Sequence, residues 1–242
     1  MKRIALFVIF ALSVFGAVRP QISSSTALGD QVITHFADGG GWRTSVVLTN
    51  LSDAPASFTI SFFNDAGELQ TFPFVENGTV SAFIGQQIPP GGRWTVNTSD
   101  LSIYTTTGWA TITNATGNIG GYAVFQYGDQ MATVPIESWN GSRFILPFQD
   151  NAGIVMGVAL VNPCTGSNTV NVTFRAGDGS VIFADSFSMT PAQHTSFLLA
   201  QRWPALTGLT GTALYETSGC LAGLGILSNG IAYTTVFALD AQ

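Results

Sequence analysis

Apolar and polar residues alternate with a period of two along most of the chain. From Ala56 to Phe63, Phe58, Ile60 and Phe62 fall on one side and Ser57, Thr59 and Ser61 on the other. Within Trp42 to Asn50, Val46 and Leu48 share a face opposite Ser45, Val47 and Thr49. Successive side chains of a strand leave opposite faces of its sheet, so this pattern predicts half-buried β-strands. Turn residues punctuate the runs. Asn64-Asp65-Ala66-Gly67 reads as a hairpin turn with Gly67 supplying positive φ. A return strand is expected over Glu68 to Phe74, then a long loop from Val75 to Gly92. Further strands are expected from Arg93 to Thr98, Thr107 to Asn114, Ile119 to Tyr127 and Met131 to Ile136. One helical turn is expected over Ala200 to Pro204.

The pattern occurs twice. His35 to Gly67 reads HFADGGGWRTSVVLTNLSDAPASFTISFFNDAG, and Pro147 to Gly179 reads PFQDNAGIVMGVALVNPCTGSNTVNVTFRAGDG. The offset is 112 throughout, without a gap. Phe36 falls on Phe148, Asp38 on Asp150, Leu48 on Leu160, Asn50 on Asn162 and Phe62 on Phe174. The matches sit at alternating apolar positions and at turns, where a fold is specified. The offset shortens to 101 at Pro90 and Pro191, because the second copy lacks about eleven residues of the long loop. It is 103 at the Thr-Gly pairs, Thr107-Gly108 and Thr210-Gly211. The chain therefore reads as β-sandwich repeat 1 over residues 31–137, a short linker over 138–142 containing Trp139, and β-sandwich repeat 2 over 143–242. Seven or eight short strands per copy, with turns every eight to twelve residues, indicate an all-β sandwich. A closed barrel is the competing architecture. A transmembrane barrel fits poorly, since the segments rarely reach ten residues and show no consistent lipid-facing set.

Met1 to Ala17 reads as a signal peptide: Lys2 and Arg3, an apolar run from Ile4 to Phe15, then Gly16-Ala17. Phe15 stands where a cleavage site prefers a small residue, so the cleavage point is open, and retention as an anchor is the minority reading. Residues 18–30 form a short polar tail. Lys2 is the only lysine. Beyond the signal, six arginines stand against 14 acidic residues, a formal charge of −8. Such a surface suits neither nucleic acid nor anionic membranes, which need clustered Lys and Arg. No membrane insertion is expected after removal of the signal.

At these residues the chain resembles a known group. FADGGGWRTSVVLTNLSDAP, SFFNDAGE, the proline-led IPPGGRW and a glycine-punctuated strand pair are similar to secreted bacterial proteins with tandem immunoglobulin-like β-sandwich repeats of uncharacterised function, often at the end of longer exported chains. The resemblance covers nearly all of the chain beyond the signal and is best in repeat 1. Repeat 2 departs from it, with Asn151-Ala152 in place of Gly39-Gly40 and Ile154 in place of Trp42. It implies the fold and export, and it supplies no catalytic residues.

Chemistry is sparse. There is no G-x-S-x-G, H-E-x-x-H, C-x-x-C, Walker loop or EF-hand loop. Gly223-x-Gly225 is followed by Ser228 where a dinucleotide loop wants glycine, within a strand pair. His35 and His194 hold non-equivalent positions in the two repeats, so a zinc site or a Ser-His pair would need a cross-domain arrangement. The plainer reading is two polar strand residues. Asp38, Asp150, Asp65 and Asp178 flank turns and offer calcium ligands of the kind exported β proteins use. The plainer reading is that they cap those turns, and no other cofactor is indicated.

Two cysteines in one exported domain predict a disulfide, Cys164–Cys220, with Ser52 and Asn118 at the matching places of repeat 1. Trp109 alternates with Thr111 and Thr113, and Tyr122 with Val124 on the neighbouring strand. A Trp109/Tyr122 platform could stack on sugar rings. The plainer reading is contact between the repeats or cover by the long loop. The expected function is accordingly a non-enzymatic secreted or cell-surface module with a structural, adhesive or assembly role. Its partners would be other extracellular proteins or polysaccharide. The alternative is a carbohydrate-binding module.

Overall fold

The computed structural model describes residues 29–76, 80–138 and 141–241. The signal at Met1 to Ala17, the tail up to residue 28 and Trp139 of the linker lie outside them. The first half holds β1 (Gln31–Asp38), β2 (Trp42–Asn50), β3 (Ala56–Asn64), β4 (Phe72–Pro73), β5 (Val80–Ser81), β6 (Phe83–Ile88), β7 (Arg93–Asn97), β8 (Thr106–Thr116), β9 (Ile119–Tyr127) and β10 (Gln130–Glu137). The second half holds β11 (Arg143–Gln149), β12 (Val155–Val161), β13 (Asn168–Ala176), β14 (Val181–Met189), β15 (His194–Leu198), β16 (Thr210–Glu216), β17 (Ala222–Ser228), β18 (Tyr233–Phe237) and β19 (Leu239–Asp240). Helix among the described residues is confined to α1 (Leu199–Arg202) and a 3-10 turn at Pro204–Leu206. The molecule is all-β, with antiparallel sheets.

In the first half the strands run β6-β3-β8-β1 and β10-β9-β2-β7, joined where β1 pairs with β10 at Val32 and Ile33. In the second half they run β14-β13-β16-β11-β19 and β15-β12-β17-β18. Phe58, Ile60, Phe62 and Ile112 from one face and Val46, Leu48, Val96 and Phe125 from the other form one buried cluster. Leu146, Phe148, Val172, Phe174, Val158 and Leu160 do the same in the second half. The alternation in the sequence is thus the alternation between core and solvent.

Several local devices recur between the halves. Asn50 Nδ2 donates to the carbonyls of Ala54 and Ile88, at 2.7 and 3.0 Å. Asn162 Nδ2 donates to those of Gly166 and Thr190, at 2.7 and 2.9 Å. Each of these buried amides closes the loop after its strand. Gly108 and Gly211 are both required to be glycine. A Cβ at either would collide with a carbonyl of the neighbouring strand, that of Phe63 or of Arg175. Cys164 and Cys220 are disulfide-bonded, with Cα atoms 5.9 Å apart, tying the β12–β13 loop to the β16–β17 loop.

One expectation fails around the long loop and another holds only in part. Residues 68–70 return along β3, with Leu69 bridging Phe63 and the Gln70 N–H donating to the Phe62 carbonyl at 2.9 Å. The turn closes with Gly67 at φ +85°, and the chain then leaves the sheet to bury Phe72 and Phe74 in the core. The edge position beside β3 is filled instead by β6, which lies inside the stretch read as loop and pairs from Ala56↔Ile88 to Ser61↔Phe83. Burial of two phenylalanines outweighs continuation of the hairpin, since each fully buried large apolar side chain contributes about 1.5–3 kcal/mol.

Candidate site at the junction of the two halves

β1 is the element that makes the junction. Val32 through Asp38 are all buried, so both faces of this strand are covered. The cause is a bulge: Ile33 pairs with Ala110 but Phe36 pairs with Gly108, leaving one extra residue in β1. An extra residue shifts the alternation. Ile33 and Phe36, three apart, both enter the first core, while Val32 packs with Val161, Ala192 and Ala222 of the second half. His35 likewise meets the second half. The matching strand β11 pairs with β16 without interruption from Arg143 to Gln149, and the residue in the place of His35 is the exposed Pro147.

At this junction the two histidines meet. His35 Nδ1 lies 3.2 Å from His194 Nε2, with the rings stacked at 27°. His194 Nδ1 donates to Asp65 Oδ1 at 2.8 Å, and the His194 backbone N–H donates to the Asp65 carbonyl at 3.2 Å. Thr107 Oγ1 also donates to the Asp65 carboxylate, at 3.0 Å. Residues from β1, the β3 turn, β8 and β15 thereby form one polar chain across two halves. Phe125 packs edge-on against His35, with ring centroids 5.4 Å apart.

The electrostatics follow from burial. Desolvation, reinforced by His194 and only partly offset by Asp65, pushes His35 down to about 3. It therefore stays neutral at ordinary pH. Burial alone would raise Asp65, but the hydrogen bond and charge of His194, with the Thr107 hydroxyl, bring it below the ordinary carboxylate value.

Trp109 completes the joint. It is fully buried, stacked on Phe63 at 4.8 Å, and its Nε1–H donates 2.7 Å to the carbonyl of Ala192 in the second half. Of the two readings of Trp109, contact between the halves is the one the structure shows, and no sugar platform forms on it. The Thr-rich face on which Trp109 lies is covered by the second half, so the indole has no surface to offer. Tyr122 is 41% exposed and has no aromatic partner among the described residues. The aromatic rings that do gather lie around Trp42, which is 5.0 Å from Tyr127 and 5.9 Å from Tyr233.

The turn carboxylates are spread among separate bonds. Asp38 accepts from the Asp100 N–H at 3.1 Å, Asp65 from His194, and Asp178 from Ser180. The Asp150 carbonyl accepts from the Gly208 N–H at 2.8 Å. No cluster of three or more metal-ligating side chains occurs among the described residues. No helix among them is long and apolar enough to cross a membrane.

Beside His35 a cleft of about 290 Å³ opens between the halves, walled by Trp42, Phe197, Leu198 and Ile226, with Thr105 and Thr107 at its edge. Alternation could not reveal any of this. A bulge leaves no signature in composition, and the histidines are brought together by packing between the two halves. The one available signal was that both histidines break the sequence correspondence between the two halves. No protein-family profile matches the chain, and no characterised protein sequence matches it significantly.

Proposed function

We propose that the chain is an exported, non-enzymatic piece. Its two halves are copies of one immunoglobulin-like β-sandwich module, locked together as a rigid unit with a structural, adhesive or assembly role at the cell surface. The observation that carries this reading is the double burial of β1. Its outer face is packed against the second half, and the buried Trp109–Ala192 and Asp65–His194 bonds cross the same boundary. A flexible string of beads would leave that face wet. The matching strand orders, the paired asparagines Asn50 and Asn162, and the paired glycines Gly108 and Gly211 support descent from one module. The disulfide and the basic-apolar start of the chain support export.

Open sheet edges give such a unit its means of association. β14 is nine residues long, pairs only with β13, and is mostly exposed. An unpaired edge can accept a strand from another chain. A second reading, carbohydrate binding, rests on the Trp42–Tyr127 pair, because Tyr127 is 45% exposed.

The test is light scattering and cell-surface pull-down of the purified protein beside a glycan array and binding to insoluble polysaccharide. Association weakened by Ser186→Lys on the β14 edge supports assembly. A strictly monomeric protein that retains glycans and loses them in Tyr127→Ala overturns it in favour of the second reading.

A further inference from the structure

The Asp65–His194–His35 chain ends in a nitrogen that the protein leaves unused. His35 Nδ1 is engaged by His194, whereas His35 Nε2 has no hydrogen-bond partner among the described residues, and His35 lines the cleft between the halves. The polarity of the chain decides what this nitrogen offers. The Asp65 carboxylate only accepts, so His194 Nδ1 carries a proton. With that as its single proton, His194 has a bare Nε2, which accepts from His35 Nδ1–H. A neutral imidazole carries one N–H, so His35 Nε2 is left as a lone pair.

We propose that this cleft is a binding site for a small neutral molecule with an apolar body and one hydroxyl, an alcohol or a phenol, whose O–H donates to His35 Nε2. The walls dictate neutrality, since no acidic or basic side chain other than His35 lines the cleft. They also dictate an apolar body, with Trp42, Phe197, Leu198 and Ile226 as the large surfaces. The volume of about 290 Å³ is roughly twice that of the ~150 Å³ hole that takes benzene, and it sits at the small end of ligand sites. A single ring with short substituents fits that size. An acceptor on the wall of a mostly apolar cleft gains from a donor placed against it, so the site discriminates in favour of a ligand bearing a donor. The proton chain behind His35 holds it in the accepting tautomer, as a carboxylate behind a histidine does in metal and catalytic sites. The inference does not rest on the structural role proposed above.

The experiment is calorimetric titration of the purified protein at pH 8 with p-cresol and with 4-methylanisole, which has the same body but no O–H. Cresol should bind at least about fivefold tighter. His35→Phe keeps a ring and removes the lone pair, and it should make the two probes equal. Gly157→Leu serves as a second variant that leaves the histidines alone. Gly157 lines the cleft, and a Cβ there meets nothing closer than 3.8 Å, so a side chain can start there without a backbone clash, and leucine should occupy the site. It should abolish binding of both probes. Equal affinity of the two probes for the wild-type protein, binding of neither, or cresol binding that survives Gly157→Leu would each overturn the proposal.

Discussion

Ser52 Oγ accepts a hydrogen bond from the Asn118 backbone N–H at 2.7 Å, bridging in the first half the two loops that the disulfide bridges in the second. Ser52 and Cys164 are 112 residues apart, and Asn118 and Cys220 are 102 apart. The same contact is thus made once by a hydrogen bond and once covalently. The bond is therefore an addition to a fold that closes without it. Closing a loop with a sequence separation of 56 stabilises by about 4 kcal/mol in the chain-entropy model. Replacing both cysteines with alanine should lower the denaturation midpoint accordingly while leaving the near-ultraviolet circular dichroism of the native protein intact. Loss of the folded signal under native conditions would show that the second half requires the bond.

Trp109→Phe keeps the stacking on Phe63 and removes the indole N–H that Ala192 uses. The orphaned buried carbonyl should cost about 1–3 kcal/mol. Trp109→Ala adds a cavity, and about 3–5 kcal/mol is expected. Urea unfolding measures both, and a Trp109→Phe variant as stable as the wild type would contradict the assigned hydrogen bond.

The pH dependence of stability has two opposing sources. His35 is held down to about 3 from 6.5, so the unfolded chain takes up a proton that the folded one refuses. Its contribution is complete above pH 6.5. Stability is then lost by about 1.4 kcal/mol for each pH unit between 6.5 and 3. Glu137 is pushed up to about 7 by burial and then by Asp240, so it favours the folded state at low pH and loses that advantage as pH rises from 4.5 to 7. The wild-type curve should therefore be shallow between pH 4.5 and 6.5 and should fall below 4.5. Below the ordinary carboxylate range the lowered Asp65 loses its partner bond as well. Glu137→Gln should expose the full His35 slope in denaturation curves taken from pH 4 to 8. A flat profile for this variant would mean that His35 is not buried neutral.

Gly108→Ala and Gly211→Ala should each abolish the folded state of their half. A Cβ there strikes the backbone of the adjacent strand, which cannot move aside as a flexible side chain can. Gly128→Ala is the control. Its φ of +56° strains alanine, but nothing lies within 4 Å of the added carbon. It should cost only about 1 kcal/mol. Tolerance of alanine at position 108 would contradict the strand register.

The strands were legible because each is half-buried and alternates. Trp42–Asn50 and Ile119–Tyr127 coincide with the spans that alternation marks. The disulfide was legible because the chain has two cysteines and an export-like start. β6 was not, because Gly85, Gln86 and Gln87 break its apolar run. A strand on a sheet edge needs little apolar surface. The junction was the least legible. For Trp109 the sequence left a sugar platform open beside the plainer contact between the halves, since the threonines next to it look like a solvent face when its own sheet is taken alone. His35 looks like a polar strand residue until the bulge turns it. Both facts belong to packing between the halves, to which periodicity within one half is blind.

The rigid joint is tested most directly by a distance distribution across it. Cys164 and Cys220 are bonded to each other and no other cysteine exists. Spin labels can therefore be placed at Thr59→Cys in the first half and Thr169→Cys in the second, both exposed. Pulsed electron–electron resonance should give one narrow distance population, unchanged by salt and broadened in Trp109→Ala. A broad or two-peaked distribution in the otherwise wild-type protein would mean that the halves hinge freely, and would contradict the account.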